Sequence, residues 1–225
     1  MALQNMKAGE AVIKYGCPIG HATADIAAGE WVHTHNCKTN LSEEQGYTYQ
    51  PQKFSLPAAR PDTFMGYRRA NGKVGVRNEI WVIPTVGCVN GVAERPAKMG
   101  AAMAEGSLEG VYAFPHPYGC SQLGDDHTAT QQLLACLVQH PNAAGVLVVG
   151  LGCENNTMES FRAVLGDVDE NRVKFMICQN EADEFATGET LLQQLAAYAK
   201  GFERTPVPVR ELIVGMKCGG SDGLS

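Results

Sequence analysis

The chain has 225 residues, 44% of them hydrophobic and 19% charged, which suits a folded globular protein with one large or two small domains. A net charge of -6 without any Lys/Arg run argues against nucleic acid or an anionic membrane as partner. No apolar stretch reaches the roughly 18 residues that span a bilayer, and the N-terminus lacks a signal peptide's charged and apolar regions, so the sequence reads as cytoplasmic.

Residues 1–50 are rich in short β-type runs and turns. "AVIKYG" and "EWVHTHN" read as strands separated by "CPIGHATADIAAGE", in which "AAGE" supplies a turn. With few large apolar side chains this β-rich piece has a thin core and needs a neighbour. If "WVHTHN" is a strand, His33 and His35 share one face, because side chains alternate with period two. Two imidazoles on one face are a common metal-binding geometry. The alternative is an exposed polar face, which fits imperfectly because Trp31 falls on the histidine side. Residues 51–65, with Pro51, Pro57 and Pro61, read as an extended linker.

From Gly66 the pattern changes. Strand candidates "EIWVIPTV", "GVYAFPH", "GVLVVGLG" and "VKFMICQ" alternate with helix candidates "VAERPAKMGAAMAEG", "DDHTATQQLLACLVQHP", "ENNTMESFRAVLGD" and "EADEFATGETLLQQLAAYAKGF". Nearly continuous apolar strands alternating with helices predict parallel βαβ units. The expected fold over 66–205 is a Rossmann- or flavodoxin-like parallel three-layer α/β domain. No short repeat is evident. After "ERTPVPVR", residues 206–225 read as a strand and a Gly/Ser-rich loop that begin a further domain.

Ligands of parallel α/β sheets collect beyond the carboxyl ends of the strands. Three of those ends carry a cysteine beside glycine: "TVGCVNG", "HPYGCSQLGDD" and "GLGCENN". Cys88, Cys120 and Cys153 are thus expected to face one crevice, where thiolates suit iron, zinc or an iron–sulfur cluster. Tight Gly-Cys turns holding inert thiols are the alternative. Cys136 and Cys178 lie in apolar periodic stretches and are expected in the core.

In "YRRANGKVGVRNE" the glycines precede a strand, so they form no dinucleotide fingerprint. Arg68, Arg69 and Arg77, the last beside Asn78 at the strand entry, could grip a carboxylate bidentately; a β-turn with solvated arginines is the competing reading. Asp125, Asp126 and His127 sit at a helix start, where capping is favoured over catalysis.

Taken together, "IKYGCPIGHATADIAAGEWVHTHN", "YRRANGKVGVRNE", "PTVGCVNG", "YGCSQLGDD", "VLVVGLGCENN" and "KCGGSDGLS" resemble the altronate/galactarate dehydratase family over essentially the whole chain. The resemblance implies a small β-rich SAF-type domain, a central α/β domain and a large C-terminal domain. It also implies dehydration of a sugar acid to a 2-keto-3-deoxy acid with ferrous iron, manganese sometimes substituting, and an iron–sulfur cluster stays open. Under it, His33 and His35 serve metal binding or proton transfer, and Arg69, Arg77 and Asn78 hold the substrate carboxylate. Cys88, Cys120 and Cys153 line the iron crevice. It further implies a fragment whose missing partner is the C-terminal domain, with homo-oligomerisation open. A non-catalytic sugar-acid-binding or assembly module is the rival reading.

Overall fold

A computed structural model describes residues 1–40, 55 and 62–217 of the chain. The chain divides into two compact units, Met1–Ala59 with Val214–Ser225, and Arg60–Ile213.

In the first unit, strands β1 (Ala11–Lys14), β2 (Cys17–Ala22) and β3 (Cys37–Lys38) form an antiparallel sheet in that order. Tyr15 and Gly16, both at positive φ (53° and 82°), make the tight turn joining β1 to β2. The core is small: Ala2, Val12, Ala22 and Ile26 are buried. The structure departs from the sequence expectation at two places in this unit. Residues 17–22, expected in a loop, form β2. The stretch "WVHTHN", expected as a strand, is a turn leading into β3. The turn wins because buried Asn36 offers the backbone a better partner than a strand would. Its Oδ1 accepts from the His33 N–H at 2.9 Å and its Nδ2 donates to the Trp31 carbonyl at 3.0 Å.

This unit also contains a repeat that hydrophobic patterning does not reveal. Residues 2–10, "ALQNMKAGE", and 22–30, "ATADIAAGE", are related by a 20-residue offset and make reciprocal bonds. Met6 and Ile26 exchange both backbone hydrogen bonds at 2.9 Å. The Ala8 N–H donates to Asp25 Oδ1 at 3.0 Å, and the Ala28 N–H donates to Asn5 Oδ1 at 2.8 Å. Glu10 and Glu30 each accept from the N–H three residues back, closing matched turns at Gly9 and Gly29 (φ 86° and 84°).

The second unit is built on four parallel strands, β6 (Glu79–Pro84), β7 (Gly110–Ala113), β8 (Ala143–Gly150) and β9 (Val173–Ile177), in the order β7-β6-β8-β9. Helices α1 (Asn90–Gly100), α2 (Gly124–Val138), α3 (Met158–Leu165) and α4 (Glu184–Ala199) complete the three layers. Alternation along the strands divides the core in two. Ile80, Val82, Leu147 and Val149 pack with α1 and α4. Trp81, Ile83, Val146 and Val148 pack with α2 and α3. All eight residues of β8 are buried, which is why it reads as an unbroken apolar run.

A second, antiparallel sheet was not anticipated: β4 (Thr63–Arg68) lies between β10 (Thr205–Pro208) and β5 (Val74–Gly75). Pro206 and Pro208 make β10 look like a joint, yet an edge strand tolerates prolines that cannot donate. "ELIV", expected as a strand, instead leaves a short 3-10 turn and runs on without regular structure. Most of the expected linker and residues 218–225 lie outside the described residues.

Candidate functional site

The sheet order places a topological switch between β6 and β8: the chain leaves β6 for α1 on one face and β8 for α3 on the other. Such a point opens a crevice at the strands' carboxyl ends. Beside it, the segments after β6 and β7 wall a cavity of about 530 Å3, with Cys88, Asn90, His116, Tyr118 and Cys120 among its lining.

The loops around it are tied by polar side chains. Asn90 Nδ2 donates to the His116 carbonyl at 2.9 Å and Asn90 Oδ1 accepts the His116 N–H at 3.3 Å, joining the loops after β6 and β7. The Gly87 N–H donates to the Tyr118 carbonyl at 2.6 Å, an approach that a Cβ on Gly87 would block at 2.8 Å from the His116 oxygen. The His116 ring is a strut. Nε2 sits 2.8 Å from the Pro84 carbonyl and must donate, while Nδ1 accepts the Tyr118 N–H at 3.3 Å.

The loop after β8 is organised by Glu154, which is buried. Its Oε1 accepts from Thr85 Oγ1 at 2.8 Å and from the Leu151 N–H at 3.0 Å; Oε2 accepts from the Gly152 N–H at 2.6 Å. Burial pushes its carboxyl upward, but the backbone N–H groups and the Thr85 hydroxyl outweigh that and hold it below the usual carboxylate value. Asn156 Nδ2 donates to the Thr85 carbonyl at 3.2 Å, and Asn156 Oδ1 accepts from Gln131 on α2 at 2.9 Å. No local sequence pattern marks Glu154, Asn156 and Gln131 as one network. The one signal in the sequence was a carboxylate set among glycines at a strand end.

Cys88, Cys120 and Cys153 are all exposed. Cys88 and Cys120 share the cavity wall, and Cys153 lies outside it but near enough to act on Cys120. Desolvation first, then the Cys88 and Cys153 thiols, push the Cys120 thiol above its ordinary value. The donor chemistry suits a soft cation. Among the described residues, however, no group of three or more His, Cys, Asp or Glu side chains is placed to hold a metal ion, so the thiols stand as neighbours and not as a closed ligand set. Cys136, expected in the core, is exposed on α2; Cys178 is half-buried, and burial pushes its thiol up to about 11.

His33 and His35 do not share a strand face, yet the turn brings both rings onto one indole: Trp31 stacks on His33 at 4.7 Å and lies 5.5 Å from His35. Arg69, Arg77 and Asn78 are not brought to the crevice; they sit at the other end of the parallel sheet, where β6 begins. Arg69 is buried and donates to the Pro141 carbonyl, Asn78 Oδ1 and the Arg77 carbonyl, each at 2.8 Å. Asn78 donates to the carbonyls of Ser107 (3.0 Å) and Ala199 (2.9 Å), and exposed Arg77 pairs with Glu109 at 3.3 Å. Asp125 and Asp126 occupy the first turn of α2 without capping it, and His127 Nε2 is buried with no hydrogen-bond partner among the described residues.

Comparison with known proteins agrees with this architecture. Residues 1–40 match the altronate/galactarate dehydratase SAF domain. The chain is 54% identical over 228 aligned positions to altronate dehydratase of Escherichia coli (strain K12), covering all of this chain and 46% of that protein. Altronate dehydratase of Bacillus subtilis (strain 168) is 49% identical with the same coverage. Galactarate dehydratase (L-threo-forming) of E. coli is 30% identical over 247 positions. The chain thus spans about half the length of the relatives it matches. Residues 66–200, which carry the parallel sheet and its cysteine crevice, match the second domain of one family, and the chain belongs to it: the D-galactarate dehydratase/altronate hydrolase family.

Proposed function

We propose that the chain is the N-terminal and central portion of a hydro-lyase that dehydrates a sugar acid, D-altronate to 2-dehydro-3-deoxy-D-gluconate in the first instance. The supporting observation is similarity across the whole chain to two altronate dehydratases, at 54% and 49% identity, against 30% for galactarate dehydratase. The reaction takes the hydrogen from the carbon beside the carboxylate, and the C–H electron pair becomes a carbon–carbon double bond. The hydroxyl on the next carbon leaves with a proton as water, and the resulting enol tautomerises to the keto acid. Negative charge gathers on the carboxylate as the C–H bond breaks, so the site needs a base and a positive group nearby.

The cofactor of this proposal is ferrous iron, with manganese able to substitute; when bound, a divalent cation neutralises that developing charge. Cys88, Cys120 and Cys153 are the share of a ligand set that the α/β unit offers. His33 and His35, in the first unit, serve metal binding or proton transfer and need not bind the same ion as the thiols. The Tyr118 and Ser121 hydroxyls on the cavity wall suit hydrogen bonds to substrate hydroxyls. The remaining length seen in the relatives supplies the rest of the site, and the setting is the cytoplasm.

The test is an anaerobic assay of the longer protein with ferrous iron, offering D-altronate and galactarate separately and detecting keto acid by mass spectrometry. Preferential turnover of altronate, with lowered iron content and rate in a Cys120→Ser variant, is expected. Failure to dehydrate either acid refutes the reading. Unchanged iron content in the variant refutes the thiol assignment.

A further inference from the structure

At the end of the parallel sheet opposite the cysteine crevice lies a second cavity, of about 190 Å3, walled by Arg69, Asn71, Asp169, Arg172, Tyr198 and Phe202, among others. Its two guanidinium groups are unusually placed. Arg69 is buried, and its Nε, Nη1 and Nη2 each make one hydrogen bond, which leaves one N–H on each Nη. Arg172 uses Nη2 on the carbonyls of His140 (3.1 Å) and Ala143 (3.0 Å); its Nε and Nη1 have no hydrogen bond among the described residues. Neither arginine forms an ion pair among the described residues.

Two largely desolvated like charges in one wall are costly, and the charges of Asp169 near Arg172 and Glu109 near Arg69 offset only part of that cost. Burial, and then the repulsion of Arg172, push Arg69 down to about 10, and burial lowers Arg172 as well. Aromatic rings offset part of this, with Arg69 4.7 Å from the Phe202 ring centre and 5.3 Å from that of Tyr67, but rings leave the spare N–H groups unsatisfied. Two carboxylates also line the wall, Asp167 and Asp169; Asp169 accepts from the Tyr198 hydroxyl at 3.0 Å and from the Asn171 N–H at 2.9 Å, and among the described residues neither carboxylate hydrogen-bonds to Arg69 or Arg172.

We propose that this cavity binds a small oxyanion, a carboxylate or a phosphate group, gripped by the spare Nε–H and Nη1–H of Arg172 and backed by Arg69. Planar guanidinium forks match both groups in bidentate geometry, and the bound anion takes up the N–H groups that the wall carboxylates leave free. The site lies apart from the cysteine crevice and does not depend on the dehydratase reading.

The experiment is isothermal titration of the 225-residue chain with inorganic phosphate and, separately, with succinate, at constant ionic strength set with sodium chloride. Saturable one-site binding of at least one anion is expected, and the tighter of the two identifies the preferred group. Arg172→Gln should weaken it at least tenfold with the circular dichroism spectrum retained, and Cys120→Ser should leave it unchanged. Asn71→Asp provides a second variant. It keeps the side-chain oxygen that accepts the Lys73 N–H at 3.1 Å while adding a negative charge at the rim, and should also weaken binding. Absence of saturable binding for both anions overturns the proposal, as does binding that survives Arg172→Gln. Should that variant fail to fold, undiminished binding by Asn71→Asp overturns it.

Discussion

Replacing Glu154 by glutamine tests whether the loop carrying Cys153 is held by one buried carboxylate. The substitution keeps shape but turns one oxygen into an NH2 group. Placed at the Oε2 position, that group meets the Gly152 N–H, which now donates at 2.6 Å; placed at Oε1, it meets the Leu151 N–H instead. Either way one charge-assisted bond is lost and one backbone donor faces a donor. A hydrogen bond to a charged group contributes about 1.5–3 kcal/mol and an unsatisfied buried donor costs about 1–3 kcal/mol; because both describe one broken contact, about 2–4 kcal/mol is expected in all. Urea denaturation followed by Trp81 fluorescence reads this unit, since Trp81 is buried in its core whereas the other tryptophan, Trp31, is 60% exposed. With a slope of about 2 kcal/mol/M, the middle of the usual urea range, the midpoint should fall by roughly 1–2 M. The pH dependence gives a second reading. Because the folded carboxyl lies below its usual value of 4.5, its stabilisation is fully present above that value and is lost as pH falls through the folded pKa. The gap between wild type and variant should therefore shrink in acid. An unchanged midpoint at neutral pH, or a gap that widens on acidification, refutes the reasoning.

Three further outcomes are expected. Asn36→Ala removes the side chain that bonds both His33 and Trp31, and should cost the first unit about 1–3 kcal/mol and disperse the imidazole resonances of His33 and His35 in NMR spectra. Cys88→Ser removes a neighbour that pushes the Cys120 thiol upward, so alkylation of Cys120 by iodoacetamide, followed by mass spectrometry, should reach half-maximal rate at lower pH while exposed Cys136 stays unchanged. Gly119→Ala places a Cβ 2.2 Å from a methyl of Val86, a stiff branched side chain, and should destabilise the α/β unit by about 1–3 kcal/mol in a thermal melt. A wild-type melting curve would show that this loop yields more freely than its packing indicates.

The parallel core was legible because burial on both faces writes strands such as β8 as continuous apolar runs, and the cysteines at their ends were then placed by topology alone. The antiparallel elements were hidden by their own chemistry. Pro18 and Gly20 break the pattern of β2, and Pro206 and Pro208 disguise β10, although an edge position tolerates prolines like these last two. "WVHTHN" misled in the opposite sense: it alternates like a strand, but a single asparagine four residues after Val32 redirects the backbone into a turn. The roles of Arg69 and Glu154 depend on carbonyls and hydroxyls supplied by distant loops, such as Pro141 for Arg69 and Thr85 for Glu154, and no local spacing announces those partners. That the arginine motif lies at the end of the sheet opposite the cysteines was not legible either, because sequence gives residue types and not which end of a sheet they reach.

The matched nonapeptides at 2–10 and 22–30 pair with each other reciprocally within one chain. Each copy holds the side-chain oxygen that accepts an N–H from the other's turn, Asn5 for Ala28 and Asp25 for Ala8, so neither is complete by itself and the two must form together. Their continuations differ: the first copy runs into β1, the second into the turn bearing His33 and His35. One frame, built twice, leads into a sheet strand after its first copy and into a turn after its second, so substitutions at Glu10 and Glu30, equivalent in their bonds, should be unequal in their consequences.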